Sequence, residues 1–281
     1  MAEEKRERYI NPYTDFGFKK LFGTEMNKDL LISFLNALFH DKEVIRDVTY
    51  LPTEQMAAYG SRRAIFDVYC ENDKGEKFIV EMQKTEQAFF KDRSLFYASF
   101  PIQQQGQRGF DWNFELKSVY TVGILNFVFD EDRDDNEYLH HEVKLMDTQK
   151  KTVFYDKLTF VYLEMPKFNK TEDELETMFD KWLFVIKNLS RLFERPEALQ
   201  ERVFKKLFEQ AEIARFTPKE VLEYEDSVKI YRDLKNSMDT ALMKGRRAAK
   251  LEDAMNMKAL GANLDFISKV TGLPIQEIQD L

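Results

Sequence analysis

The sequence is poor in the residues that build several common kinds of site. Of its 281 residues only Cys70 is a cysteine, and only three are histidines. A single cysteine excludes an internal disulfide and any zinc site made mainly of thiolates. Because the chain does not depend on oxidised cysteines, it suits a reducing compartment, and we expect a cytoplasmic protein.

Long apolar runs are also missing. No segment approaches the roughly 18 to 20 apolar residues of a membrane span, and the charged opening MAEEKRER does not have the pattern of a secretory signal. Glycine and proline are scarce, and 43% of the residues are hydrophobic while 33% are charged. These values are typical of a folded globular chain and exclude a disordered one. We expect no membrane partner.

The charge balance is acidic, with a formal net charge of -8. Affinity for a nucleic-acid backbone comes mainly from Lys and Arg, so this excess argues against a nucleic-acid binder. Most of the excess lies in the second half of the chain. The distribution therefore leaves room for a basic groove on the first half.

Periodicity in the first half predicts a mixed α/β (α+β) core. An amphipathic helix is expected at 27–39, with Asn27 as its cap. Strands are expected at 44–50, 63–70, 77–83 and 117–129, and two more at 138–146 and 152–164. A helix at 86–105 separates the third and fourth strands, and Pro101 should kink it or end it near Phe100. The first three strands are close enough to form an antiparallel meander.

The character of the sequence changes near residue 165. Capping-box signatures begin at Thr171 and Thr217, the second with Pro218 at the first helical position. We expect helices at 171–190, 196–214 and 217–260, the last broken near Gly245 and ended at Gly261, followed by two short tail helices. This pattern predicts a first domain at 1–165 and a helical, oligomerising region at 166–281.

A hairpin in the first domain carries the candidate chemistry. Alternation places Phe66, Val68, Cys70, Phe78, Val80 and Met82 on one wholly apolar face. If Gly75 occupies the left-handed position of a three-residue turn, the register places Asp67 opposite Glu81. Like charges in directly opposed positions destabilise a sheet unless something compensates. Mg²⁺ or Mn²⁺, held by one or two carboxylates and water, would do so.

An alternative is that Asp67 and Glu81 are solvated residues with cross-strand ion pairs. Two observations favour the metal site. Ile65 and Ile79 share the same face, so this face is not freely solvated, and Gln83 places an amide beside Glu81.

This arrangement resembles the PD-(D/E)XK nuclease superfamily, and specifically its recombination-promoting nuclease and transposase family, in which Gln replaces the usual Lys. The matching segments are NPYTDFGFKKLFG at 11–23, NKDLLISFLNAL at 27–38, RRAIFDVYCENDKGEKFIVEMQK at 62–84, RSLFY at 93–97 and SVYTVGILNF at 118–127. The tail ending in GLPIQEIQDL is similar as well. The resemblance spans nearly the whole chain and implies a restriction-endonuclease-like core.

The resemblance implies roles for individual residues. Asp67 and Glu81 would be metal ligands, and Gln83 would take the place of the catalytic Lys. Gln is neutral and can only orient by hydrogen bonding, so either Gln83 suffices or a cation comes from elsewhere. Arg93, with Tyr97 one turn later, is the best candidate for that cation. The alternative for this pair is an Arg stacked on a Tyr at a helix surface. Alternation turns Lys84 away.

Other polar residues carry weaker signals. Asp15 lies in a segment similar to the DFG motif of kinases, but no glycine-rich phosphate loop accompanies it. Packing of Phe16, Phe18, Leu21 and Phe22 onto the core is the better interpretation of that segment. The three histidines form no spaced ligand set and are interpreted as surface residues.

Three functions are compatible with these sequence features. The first is a Mg²⁺-dependent DNA endonuclease serving recombination, transposition or genome defence. The second is a catalytically weak DNA-binding or assembly module that keeps the nuclease fold. In the third, the helical half is the working part beside a decayed nuclease. We expect DNA as the partner, a homodimer through the long helix, and no organic cofactor.

Overall fold

The computed structural model describes residues 7–40, 44–55, 63–106 and 113–281. Eight α-helices lie in these ranges: α1 (Asp15–Phe22), α2 (Lys28–Leu38), α3 (Phe90–Gln104), α4 (Met178–Asn188), α5 (Arg202–Ala211), α6 (Pro218–Ala259), α7 (Leu264–Thr271) and α8 (Ile275–Gln279). The strands are β1 (Val48–Tyr50), β2 (Glu54–Gln55), β3 (Ala64–Ile65), β4 (Val68–Asn72), β5 (Lys77–Gln83), β6 (Val119–Leu125), β7 (His140–Asp147) and β8 (Thr152–Glu164). None of the helices described is long and apolar enough to cross a membrane.

Six strands form one mixed sheet in the order β1-β4-β5-β6-β8-β7. β1, β4 and β5 are antiparallel neighbours, which confirms the predicted meander. β5, β6 and β8 run parallel, and α3 crosses over between β5 and β6. β2 and β3 pair separately as a short antiparallel hairpin. The predicted mixed α/β architecture is confirmed.

Both faces of the central strands are covered. On one face Phe78 and Tyr120 stack with ring centroids 4.9 Å apart, and Phe39, just after α2, lies over both. On the other face α3 packs against Tyr69 and Ile79 through Phe100. A sheet buried on both sides explains why its strands are apolar almost throughout rather than alternating.

Gly123 of β6 lies on the α3 face and allows an aromatic ring to cross it. A Cβ there would lie 3.0 Å from the Tyr162 ring. Tyr162, on the neighbouring β8, donates a buried hydrogen bond of 2.9 Å to Ser94 of α3. The missing side chain thus lets β8 contact α3 directly.

Helices α1 and α2 share a core with α4. Trp182 of α4 is fully buried, and its ring lies 5.7 Å from Phe22 and 5.9 Å from Phe34. Phe18, Leu21 and Phe22 are buried, as the sequence predicts. Residues up to Val228 form one compact unit and those from Lys229 a second, whose core contains Ala254, Ile267, Leu273 and Ile278. The domain boundary expected after residue 165 stays a prediction.

Several local predictions are wrong or hold only in part. Asn27 is the N-cap residue of α2 as predicted, but its side chain makes no capping hydrogen bond, and its Nδ2 donates to the Lys20 carbonyl. Of the two outcomes predicted for Pro101, a helix end near Phe100 is not observed, because α3 continues through the buried Pro101 to Gln104. The capping box at Thr171 caps only a 3₁₀ turn, and α4 begins after a second box at Thr177. Gly245 does not break α6.

Other local predictions are confirmed. The side chain of Thr217 accepts from the Glu220 N–H and that of Glu220 accepts from the Thr217 N–H, so this box does cap α6. Gly261 follows the end of that helix with φ +78°, and the two tail helices meet at Gly272 with φ +71°. Gly75 has φ +78°, as the predicted hairpin turn requires.

We expect Gly75→Ala to destabilise the protein by about 1 kcal/mol, because a side chain there has to adopt the left-handed conformation. Its Cβ would meet only Lys117 at 3.6 Å, an ordinary contact, so the cost is conformational rather than steric. The matched control is Gly245→Ala inside α6, where the added Cβ would meet no described residue within 4 Å beyond the adjacent backbone of its own helix, and helix propensity should raise stability. Urea unfolding followed by circular dichroism measures both, and equal effects of the two changes would contradict this account.

Candidate active site

The hairpin of β4 and β5 brings two carboxylates together, Asp67 and Glu81, which we call the carboxylate pair. The last ladder pair toward them is Val68↔Val80, so one further step along the register places Asp67 beside Glu81. The Asp67 backbone N–H donates to Glu81 Oε1 at 3.1 Å, and the Met82 N–H donates to Asp67 Oδ2 at 2.9 Å. Each strand therefore holds the carboxylate of the other.

The predicted alternation fails just before this point. The chain leaves the ladder at Phe66 and Asp67, and the Phe66 N–H donates to the Thr53 carbonyl. Because of this break, the Phe66 ring packs with Tyr69 and Tyr97 on the α3 face, rather than with Val68 and Cys70 on the other. The break frees the Asp67 N–H to bond a side chain instead of a neighbouring strand.

Burial and mutual repulsion shift the pKa values of the carboxylate pair. The pKa of Glu81 is raised to about 8, first by burial and second by the nearby charge of Asp67, whose effect exceeds the opposing effect of the Asp67 N–H. The pKa of Asp67 is also raised, mainly by burial, against the lowering effect of the Met82 N–H. The pair is thus electrostatically unsatisfied without a cation. Paired carboxylate oxygens are ligands that Mg²⁺ and Mn²⁺ prefer, so the residues present fit such an ion.

Gln83 and Arg93 form the next part of the site. Gln83 is buried, its Nε2 donates to the Thr85 carbonyl at 3.1 Å, and its Oε1 accepts from Arg93. A second guanidinium nitrogen of Arg93 donates to Gln87. The positive charge of Arg93 lowers the pKa of Glu81, so it reaches the carboxylate pair.

Tyr97 lies one helical turn beyond Arg93. The Arg93 guanidinium lies 5.7 Å from the Tyr97 ring centroid and 5.6 Å from that of Phe90. Arg93 was interpreted either as the cation of the site or as an Arg stacked on a Tyr. The structure shows both, because Arg93 stacks on an aromatic ring and also contacts the site. Burial raises the pKa of Tyr97, and the negative charges of Glu81 and Asp67 add a smaller rise.

Three charged residues at the site were not among the candidates from the sequence. Asp15, at the start of α1, forms an ion pair with Lys84, with 2.6 Å between Asp15 Oδ1 and Lys84 Nζ. The charge of Asp15 raises the pKa of Asp67. Lys84 and Lys19 lower that pKa. Strict alternation predicted that Lys84 faces away, but β5 ends at Gln83 and alternation no longer applies. Asp15 and Lys19 have i, i+4 spacing in a helix, so the sequence could have indicated that these two side chains lie on the same face.

The histidines differ from the expectation that all three are surface residues. His40 is exposed, but His140 and His141 are partly buried, and burial lowers the pKa of His140. His141, Asp132 and Glu164 form a group that could hold a metal ion, with one ligand atom of each within 4.8 Å of the others. We call this group the edge cluster. Its members are far apart in sequence, so no spacing pattern revealed it.

Comparison with known families settles which group of proteins the chain belongs to. The model of a family described as PD-(D/E)XK nuclease family transposase matches residues 12–241. The chain belongs to this family. The resemblance found in the sequence is thereby confirmed, and nucleases of this PD-(D/E)XK group use divalent metal ions. No curated protein and no solved structure matches the chain.

The raised pKa of Glu81 gives this PD-(D/E)XK protein a testable pH dependence. Without metal, the folded state keeps the Glu81 proton up to a pH of about 8, whereas the pKa of a freely solvated Glu is 4.5. The folded state binds more protons in this window, so its free energy of unfolding falls as the pH rises through it. We expect Glu81→Gln to remove a large part of that fall, which urea unfolding in a chelator measures.

The control for this experiment is Glu225→Gln, which replaces an exposed acid on α6. It should leave the dependence of stability on pH as in the wild type. If the curves of wild type and Glu81→Gln run parallel from pH 4.5 to about 8, Glu81 does not carry the shift.

Proposed function

We propose that the protein is a Mg²⁺- or Mn²⁺-dependent DNA endonuclease serving recombination, transposition or genome defence. The observation that carries this proposal is the carboxylate pair, in which two buried acids are held together by reciprocal backbone hydrogen bonds. Two raised carboxyl pKa values at one point are typical of a functional site rather than of a solvated hairpin. The family adds the nuclease class.

Each residue has a role in phosphodiester hydrolysis. Asp67 and Glu81 would hold the metal ion, which supplies an activated water and stabilises charge on the phosphoryl group. Gln83 is a positioning residue: it lies two residues beyond Glu81 on β5 and can orient a polar group by hydrogen bonding. Arg93 supplies the positive charge that Gln83 lacks. Tyr97 supports the guanidinium through its ring.

DNA as the substrate agrees with the local charge of the site rather than with the net charge of the chain. Lys19, Lys84 and Arg93 all act on the pKa values of the carboxylate pair, so three cations lie around it. Cations at this point would bind the phosphates on either side of the cleaved bond. The acidic excess of the chain as a whole does not prevent this, because screening limits charge effects to about 10 Å.

A catalytically weak DNA-binding or assembly module is the second candidate function. It is favoured by one contact, the hydrogen bond from Arg93 to Gln83 Oε1, which engages the amide that would otherwise orient a reacting group. Both candidates predict DNA binding, so only cleavage separates them.

We expect the purified protein to nick supercoiled plasmid when Mg²⁺ or Mn²⁺ is present and not in a chelator. Asp67→Asn should reduce the rate by about two orders of magnitude or more, because it removes a metal ligand. Asp73→Asn, an exposed acid in the same hairpin, is the matched control and should cut normally. Cleavage that survives Asp67→Asn would point to a contaminant, and DNA binding without any cleavage would favour the second candidate.

Arg93→Gln should slow single-turnover cleavage by roughly 10- to 100-fold, because a charge near the reacting phosphate is lost. Lys91→Gln, on the same helix and paired with Glu131, controls for general loss of phosphate affinity. A wild-type rate in Arg93→Gln would show that Gln83 suffices without the cation.

The homodimer also belongs to this proposal, since two sites cut the two strands of a duplex more readily than one. Light scattering at micromolar concentration measures the mass, and a mass of one 33.4 kDa chain would contradict it.

A further inference from the structure

The edge cluster lies at the carboxyl end of the parallel strands, away from the carboxylate pair. Glu164 is the last residue of β8 and is in register with Leu125 of β6, which is in register with Gln83 of β5. Two strand spacings, roughly 10 Å, therefore separate Glu164 from Gln83. His141 lies at the start of β7, and Asp132 ends a 3₁₀ turn in the segment between β6 and β7. Three separate elements thus meet at this point.

Two polar atoms of the edge cluster have unsatisfied bonding capacity. Glu164 is fully buried (0% exposed), and its Oε1 accepts from the Phe129 N–H at 2.6 Å. Its Oε2 and His141 Nε2 are both buried without a hydrogen-bond partner among the residues that the structure describes. Buried polar atoms in this state are costly and rare, so each requires an explanation.

The distances within the cluster match a coordination shell better than a hydrogen-bond network. His141 Nε2 lies 3.4 Å from Glu164 Oε2 and 3.8 Å from Asp132 Oδ2. Ligands about 2.1 Å from a tetrahedral ion are separated from one another by about 3.4 Å. His141 Nε2 thus lies near a carboxylate oxygen of each acid without a hydrogen bond to either.

Lys167 forms an ion pair with the cluster. Its ammonium lies 2.7 Å from Glu164 Oε2, close enough for an ion pair but not aligned for a hydrogen bond, and it donates to the Tyr138 carbonyl at 3.0 Å. This contact does not provide a hydrogen-bond partner for His141 Nε2. Lys167 therefore offsets one carboxylate charge but does not complete the cluster.

We propose that Asp132, His141 and Glu164 form a second metal site, which takes a transition ion such as Zn²⁺ and pins the segment between β6 and β7 to the sheet. A ligand set of one imidazole and two carboxylates suits Zn²⁺, whereas Mg²⁺ prefers oxygen ligands alone. The Phe129 N–H orients the Glu164 carboxylate from behind, as partners of metal ligands commonly do. This site is independent of the nuclease chemistry proposed above.

The test uses untagged protein with both Asp67→Asn and Glu81→Gln, so that the carboxylate pair cannot bind the ion. Co²⁺, which gives visible absorption bands in place of silent Zn²⁺, is titrated into metal-free protein, and Zn²⁺ is then added in competition. We expect one equivalent of Co²⁺ to bind, Zn²⁺ to displace it, and Mg²⁺ to leave it bound. Circular dichroism confirms that each variant is folded.

Two further changes decide the assignment of ligands. His141→Asn and Asp132→Asn, each added to that background, should weaken Co²⁺ binding by at least about tenfold. Asp132 is partly exposed in a turn, so its variant keeps the test valid if His141→Asn does not fold. His140→Asn is the matched control, because its ring contacts Phe179 rather than the cluster.

The proposal is overturned if no Co²⁺ binds, since Lys167 is then the cation that offsets the carboxylates of the cluster. It is equally overturned if binding survives both His141→Asn and Asp132→Asn, or if His140→Asn weakens it as much as they do.

Discussion

The reciprocal hydrogen bonds between Asp67 and Glu81 are the constraint on which the candidate site depends. A backbone N–H from each side of the hairpin holds a carboxylate from the other, at 3.1 and 2.9 Å. The two acids therefore cannot move apart to relieve their repulsion without breaking the hairpin. The turn at Gly75 sets the register, and the register sets the distance between the charges. Local backbone geometry thus keeps the two carboxylates close together, and only a proton or a cation can relieve their repulsion.

Nearby cations partly offset the repulsion between the two carboxylates. Arg93 comes from the crossover helix, and Lys19 and Lys84 come from the opening helix and the end of β5. The usual lysine of the superfamily would supply its charge directly from β5 at position 83. Here that strand supplies a neutral amide, and the charge arrives through a side chain that is stacked on aromatic rings and hydrogen-bonded to the amide. In the proposed nuclease site, Arg93 would provide the charge and Gln83 the orientation.

The sequence predicted that Asp67 lies beside Glu81 because both residues belong to one local hairpin. Two residues in one hairpin can be placed by strand alternation and turn chemistry, and the Gly75 turn made the register of Asp67 and Glu81 predictable. Features that depend on tertiary packing were missed. Phe66 faces α3 because the chain leaves the ladder there, and α3 passes Pro101 because the core covers it. Asp132, His141 and Glu164 meet only through the order of the strands, which no spacing encodes.

The raised pKa of Glu81 also means that a cation binding to the carboxylate pair would replace a proton. Near neutral pH the buried carboxyl holds a proton, because its pKa is about 8. A carboxyl must give up its proton to become a metal ligand, so uptake of a cation at neutral pH would release acid into the solvent. The apparent affinity for the cation would then increase with pH until Glu81 is fully ionised. The reciprocal hydrogen bonds would thereby couple occupancy of the site to the acidity of its surroundings.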